Sequence, residues 1–238
     1  MAIKIEHTEV FGWEAAIRGL RNPKNSWHLS DTVDCAAKLQ HCEKYVNCTS
    51  IGDYCIGEND FKLMRTLAHA GSDHGKFLRM INVTVDLTAP LYWWKEFDTY
   101  KVGTVANSCS TMHKIHAKEF TMDDFSHEHL YNCNGYKDLI GLFRVGEDGS
   151  YMDSTRILKM IVDVLNIYRA EFLKTKDKRC WWQMIQLLPS SYNQKRTVQL
   201  NYAVLLNMYH ARKNHKLDEW HTLCEWIEEL PYFRDICL

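Results

Sequence analysis

The chain has 238 residues, 46% of them hydrophobic and 25% charged, with a formal net charge of −1. That length and apolar content suit one domain, residues 1–238, with a sizeable core. The near-neutral charge excludes a protein that gathers nucleic acid or a membrane surface by bulk electrostatics. No apolar run approaches the roughly 20 residues that span a bilayer, and the opening MAIKIEHTEV lacks the apolar core of a secretion signal. The nine cysteines therefore read as reduced thiols in a cytoplasmic protein rather than as a disulfide framework.

Ile3 to Val10 reads as a short strand, and Phe11 to Leu20 places Ala, Ile and Leu at helical spacing before Asn22-Pro23-Lys24-Asn25 breaks the pattern. Asp31 or Thr32 is a candidate cap for a helix over Val33 to Val46. Cys35, Cys42, Cys48 and Cys55 are too widely spaced for the close pairs that zinc prefers, so they read as small buried hydrophobes. Asp60 to Ala70 is an amphipathic helix closed by Gly71, a residue suited to a left-handed cap. From Met80 to Thr88, Ile81, Val83, Val85 and Leu87 alternate with polar residues, the period of a half-buried strand. Pro90 then suits the first turn of a helix that carries Leu91, Trp94 and Phe97 along one side. Gly103 ends that pattern, and Asn107-Ser108-Cys109-Ser110-Thr111 is a run of short polar groups. A strand, an aromatic helix and a small polar loop in this order can make the wall and floor of a pocket.

Lys114 to Gly149 is polar and reads as surface; His127-x-His129 lacks a further ligand at metal spacing, and Glu147 to Ser150 is a turn signal. Ser154 to Lys174 is the most regular helix, with Ser154 as its cap and Ile157, Met160, Ile161, Val164, Leu165, Tyr168 and Phe172 at helical spacing. Trp181 to Leu188 is a second apolar helical segment, stopped by Pro189. Ser190 to Leu200 leads into Asn201, a further apolar-periodic stretch runs to His210, and Leu217 to Leu230 is the last helix, followed by a short tail. The fold class expected is α+β, a small, mainly antiparallel sheet flanked by long helices.

The stretch from Ala89 to His113 resembles the signature region of the flavin-dependent thymidylate synthases: a strand, an Ala-Pro step, a helix, and then Arg-His-Arg-x-x-Ser-x-Asn-x-x-Ser-x-Arg. Here Thr99-Tyr100-Lys101 stands at the triplet and Thr104 at the first Ser. After one extra residue, Asn107, Ser110 and Met112 stand at the Asn, the second Ser and the last Arg. The C-terminal third is similar to the rest of the family pattern. Leu188-Pro189 is followed by Asn201 twelve residues after the Pro, Asn207 six later and Arg212 five after that, then by His215 and Trp220.

The resemblance implies FAD as cofactor, dUMP as substrate, methylenetetrahydrofolate and NADPH as co-substrates, and a homotetramer with sites between subunits. It implies His74 (or, counted from the preceding helix, a residue nearer Ser72), Thr99, Tyr100, Lys101, Asn107, Asn201 and Asn207 around the flavin. Glu96, Ser108, Cys109, Ser110, Met112 and Arg212 then lie on the nucleotide, with Arg212 also the catalytic residue. Physical chemistry suits these roles, because a guanidinium is a planar fork that matches a pyrimidine carbonyl and ring nitrogen. An amide offers a donor and an acceptor to a flavin or ribose edge. No cysteine nucleophile is needed, so Cys109 is not read as catalytic.

The departures concern charge. Thr99, Tyr100, Met112 and Ile185 stand where the family has Arg or His, and Glu96 stands at a Gln. Lys101 is retained, and Lys114 and Lys195-Arg196 are the candidates to compensate. Three readings follow: a diverged synthase, a non-catalytic nucleotide- or flavin-binding relative, and an interaction protein without a small ligand. On spacing alone, Asn201 and Asn207 also read as capping or surface residues, and Arg212 as part of a solvated basic run.

Overall fold

The computed structural model describes residues 3–34, 54–131, 143–145 and 150–238. It has the expected α+β architecture, with a small antiparallel sheet of four strands in the order β1-β4-β8-β5. These are β1 (Lys4–Phe11), β4 (Asn82–Pro90), β5 (Val105–Ser108) and β8 (Asn193–Asn201). The helices are α1 (Trp13–Arg21), α2 (Glu58–His69), α3 (Leu91–Phe97), α4 (Thr111–Lys114), α5 (Ser154–Thr175), α6 (Lys178–Leu187), α7 (Tyr202–Arg212), α8 (Asp218–Glu229) and α9 (Phe233–Cys237). Two two-stranded ribbons pair β2 (Val33–Asp34) with β3 (Tyr54–Cys55) and β6 (Phe143–Val145) with β7 (Ser150–Met152). Among the described residues no helix is long and apolar enough to cross a membrane.

The chain divides into two compact units. One comprises Ile5–Leu87, Asp98–Asn107 and Thr197–Leu238. Its part of β4 buries Ile81, Val83, Val85 and Leu87 and leaves Asn82, Thr84 and Asp86 half-exposed, the alternation the sequence predicts. Trp13, at the start of α1, packs edge-to-face on Tyr202 and Tyr232, each with ring centroids 5.6 Å away. The Tyr202 hydroxyl donates to the Pro231 carbonyl at 2.7 Å. The tail expected after Pro231 is instead α9, with Phe233, Ile236 and Cys237 buried.

The same unit holds a buried ion pair 39 residues apart in sequence. Arg21 Nε donates to Asp60 Oδ1 at 2.7 Å, and Nη2 lies 2.7 Å from the same oxygen. The other carboxylate oxygen accepts from the hydroxyls of Ser30 (2.6 Å) and Thr32 (2.7 Å) and from the Asp31 and Thr32 amides. Burial pushes the Asp60 carboxyl upward, but these donors together hold it below its ordinary value. Asp31 caps α2 from a distance, accepting from the amides of Asn59 and Asp60, so neither it nor Thr32 caps a local helix. The chain pairs as β2 at Val33–Asp34, where the expected helix would begin. The rest of that helix, which holds Cys35 and Cys42, lies outside the described residues, as do Cys48 and the turn residues Glu147 to Gly149.

The other unit comprises Met1–Lys4, Thr88–Phe97 and Ser108–Arg196. Its core gathers Leu158, Val162 and Leu165 of α5, Met184 of α6, and Ile115, Phe120 and Phe125. The segment expected at the surface thus supplies three core residues. Asn166 pins it, accepting from the Phe120 amide at 2.9 Å and donating to the Phe120 carbonyl at 2.8 Å. The cap of α5 is Asp153, which accepts from the Arg156 amide at 2.7 Å; Ser154 is the first helical residue. The strand β4 runs through Pro90, the expected helix start, so α3 begins one residue later, and the Leu91 amide still donates across to the Tyr192 carbonyl.

Candidate functional site

Two groups of signature residues are built in the first unit described. Asn201 ends β8 and caps α7, its Oδ1 accepting from the Val204 amide at 3.1 Å. Gly103 stands against it in a left-handed conformation (φ 76°), and a Cβ there would lie 3.0 Å from Asn201 Nδ2 and 3.1 Å from Val204 Cγ2. A side chain at 103 would therefore push the turn off the helix start.

Eleven residues after Asn201, at the last turn of α7, Arg212 Nε donates to the Tyr100 hydroxyl at 2.9 Å. The guanidinium lies over the Trp220 ring, 4.7 Å from its centroid, and 5.6 Å from that of Tyr100. Trp220 is fully buried, and His215 meets it at 6.2 Å between centroids. The His215 Nδ1 accepts from the Leu217 amide at 3.2 Å, which leaves the ring proton of the neutral form on Nε2. Arg212 is therefore not part of a solvated run, because two aromatic faces and a phenol fix its plane.

A cleft of about 300 Å³ opens in the same unit between the Gly71–Gly75 linker and α7, lined by Ser72, Arg79, Leu206, Asn207 and His210 among others. Of the two linker residues weighed from the sequence, Ser72 lines this cleft. His74 is exposed and outside the lining, its amide donating to the Gly71 carbonyl. Thr99, Lys101 and Asn107 are exposed, Asn107 on the edge strand β5 rather than in a loop.

In the second unit a cleft of about 290 Å³ is lined by Cys109 and Ser110, by Lys114, Lys118 and Lys195, and by Tyr192 and Gln194 among others. The Ser110 Oγ caps α4, accepting from the His113 amide at 3.0 Å. Burial, with Asp124 and Cys109 nearby, pushes the Tyr192 phenol up, so it stays protonated at neutral pH. Ser108, Glu96 and Met112 do not line this cleft. Met112 is exposed, its carbonyl accepting from Trp181 Nε1, and Ile185 packs against the apolar core. His127 Nδ1 lies 2.8 Å from the Phe125 carbonyl, and among the described residues no three His, Cys, Asp or Glu side chains gather as a metal set.

Sequence reasoning missed Tyr192, Asn193, Gln194 and Lys118 as cleft residues. The strand β8 that carries two of them buries Gln194, Val198 and Leu200 on one alternating set, and a glutamine at the first of these hid the period.

Compared as a sequence, the chain matches no protein-family model and no curated protein. Compared as a structure, it is similar to thymidylate synthase X (ThyX) from Helicobacter pylori with FAD and dUMP, with a TM-score of 0.61 at 14% identity over 100% of this chain and 96% of that one. A second structure of flavin-dependent thymidylate synthase ThyX from the same organism, complexed with FAD and dUMP, gives 0.60 at 14% identity over the whole of both chains. The likeness is one of fold. It supports the α+β architecture derived from alternation and helical periodicity, and it spans both halves of the signature.

Proposed function

We propose that this chain is a diverged flavin-dependent thymidylate synthase, with residues 1–238 as one synthase-like domain. In this reading it binds FAD and makes thymidylate, or a related 5-substituted pyrimidine deoxynucleotide, from dUMP. Methylenetetrahydrofolate is the carbon donor and NADPH the reductant, in a cytoplasmic homotetramer. The observation that carries the reading is the contact between Arg212 and Tyr100, 112 residues apart in sequence. It joins the two halves of a pattern recognised separately. The solved structures similar in fold, described as containing FAD and dUMP, support the ligand classes.

The flavin's fit is tested by the cleft beside α7. Its 300 Å³ is at the small end of ligand pockets, enough for one ring system. Asn207 and Ser72 supply donors and acceptors for a polar ring edge, and Arg79 supplies a cation. When bound, FAD supplies the redox chemistry and carries the one-carbon unit. The chain's own contribution is to orient and polarise. Arg212 holds the pyrimidine edge and stabilises negative charge as the ring is activated, its half-buried guanidinium oriented by Trp220 and Tyr100. Ser110 and Cys109 line the nucleotide's cleft. His74, Thr99, Lys101, Asn107 and Asn201 are the remaining flavin positions, and Glu96, Ser108 and Met112 the remaining nucleotide positions, in this reading.

Arg212→Ala tests it. Turnover is expected to fall below detection while FAD remains bound, and unchanged turnover removes Arg212 from the mechanism. A second reading, a non-catalytic nucleotide- or flavin-binding relative, is favoured by one observation. Two positions where the resemblance expects arginine carry an exposed Met112 and a core-packed Ile185. Binding of FAD and dUMP without turnover selects that reading.

A further inference from the structure

We infer that the connection between α5 and α6 is a docking surface for an anionic phospholipid bilayer, met from its aqueous side. The inference does not depend on the synthase reading.

Lys174, Lys176, Lys178 and Arg179 fall within the last turn of α5, the two-residue connection and the first turn of α6. They stand against Asp177 and, one helical turn earlier, Glu171. Four cations against two carboxylates leave the stretch 171–179 at +2, in a chain whose net charge is −1. Charge that the whole chain lacks is thus concentrated at one end of one helix pair, the pattern that an anionic leaflet attracts. Asp177 is engaged by its neighbour, because Arg179 Nε and Nη2 donate to it at 2.9 and 2.6 Å. The three lysines are exposed.

Apolar surface accompanies the charge. Trp182 is 42% exposed and Leu173 39%, both close to the connection. Lys178 Nζ lies over the Trp182 ring, 6.0 Å from its centroid, and Lys176 Nζ over that of Phe172 at 5.7 Å. An indole beside an ammonium suits the headgroup layer, where the ring rests at the interface and the ammonium reaches the phosphates. The same geometry disfavours single-stranded nucleic acid, whose bases stack on open ring faces. Here an ammonium already lies over each ring, and Trp182 meets Trp181 edge-on at 4.8 Å between centroids.

The tip is held in shape. The Lys176 amide donates to the Phe172 carbonyl at 2.8 Å, and its backbone is left-handed (φ 59°), a conformation that favours glycine but here carries a cation. Asp177 caps α6, accepting from the Arg179 amide at 2.8 Å, and its own amide donates to Thr175 Oγ1 at 3.1 Å. A closed connection of this kind presents its lysines with little further ordering cost on binding.

The test is co-sedimentation of the full chain with vesicles of phosphatidylcholine and with vesicles of phosphatidylcholine and phosphatidylglycerol in equal parts. The native protein is expected to sediment with the anionic vesicles alone. It should do so at about 0.1 M salt and not at about 1 M, where the screening length falls to about 3 Å. Lys174→Gln/Lys176→Gln/Lys178→Gln is expected to lose about fivefold in affinity per lysine, with its melting temperature unchanged. Anionic vesicles should shift the native tryptophan emission to the blue, and Trp182→Ala should lose most of that shift. Equal sedimentation with both vesicle types, sedimentation with neither, or a triple variant that binds as the native protein does overturns the inference. A single-stranded oligonucleotide that binds through the same lysines and displaces the protein from the vesicles would assign the tip to nucleic acid and overturn it as well.

Discussion

The Arg212 clamp and the Cys109–Ser110 cleft hold positive charge in opposite ways. Arg212 is fixed by a phenol at 2.9 Å and by the face of a fully buried tryptophan, so its orientation is set before a ligand arrives. In the cleft the backbone is fixed, by Gln194 and Arg196 on Trp94, while Lys114 is exposed. A guanidinium whose plane is set suits a reacting ring that must be met at one angle. Lysines on a rigid frame suit a partner that accepts from many directions. The difference teaches that rigidity can be placed in the charge or in the scaffold beneath it.

The comparison is broken most severely by Arg212→Ala, which removes the held charge and is expected to abolish turnover, as set out above. Next in size is Asp60→Ala. It leaves Arg21 buried and unpaired in the most completely enclosed charge site described, and chemical denaturation is expected to show a loss of about 3–5 kcal/mol. A loss below about 1 kcal/mol would contradict the buried-pair account. The same site has a pH signature. The folded Asp60 carboxyl lies below its ordinary 3.8, so its contribution is fully present above that value and is lost as pH falls further. The melting temperature of the native protein should therefore exceed that of Asp60→Asn by a constant margin from pH 7 to 5, and the margin should shrink below 3.8.

Tyr100→Phe sharpens the contrast, because it keeps the ring and removes only the acceptor for Arg212 Nε. Turnover should fall about tenfold, with FAD affinity unchanged. An effect on FAD alone would instead place Tyr100 on the flavin, where the resemblance puts it, and contradict its role as the support of Arg212. The smallest effect expected is for Lys118→Ala. That ion pair joins a side chain 69% exposed to Asp124, and its loss should cost under about 1 kcal/mol, read by urea unfolding.

What was legible in the sequence follows from where the pattern was carried by apolar atoms. Ile81, Val83, Val85 and Leu87 declared β4; for α5 the periodicity found the helix but not all of its buried face, because Leu165 is buried and Ile161, Tyr168 and Phe172 pack against the core, while Met160 is exposed and Leu158 and Val162, outside the expected set, are buried. The edge strand β5 is exposed at all four positions and has no burial pattern to read. In Lys114 to Tyr131, Ile115, Phe120 and Phe125 are scattered among polar residues, and they are buried against Leu158, Val162 and Leu165 of α5, whose Asn166, 46 residues beyond Phe120, holds the Phe120 backbone. The Arg21–Asp60 pair and the reach of Asp31 to the start of α2 are long-range in the same sense. In the candidate site, the resemblance singled out Arg212 and Asn207 and left Ser72 and His74 both open; the structure sets Arg212 against Tyr100 and Trp220 and puts Asn207 and Ser72 in the lining of one cleft. It was silent on Gln194, whose role depends on its neighbour Arg196 and on Trp94, 100 residues earlier.

The central claim is flavin binding by a chain whose triplet is Thr99-Tyr100-Lys101. Its most direct test is the visible absorption spectrum of the full chain after equilibration with excess FAD and removal of the free cofactor. The account predicts flavin bands that travel with the protein and shift on addition of dUMP. A colourless protein after the same treatment would contradict it.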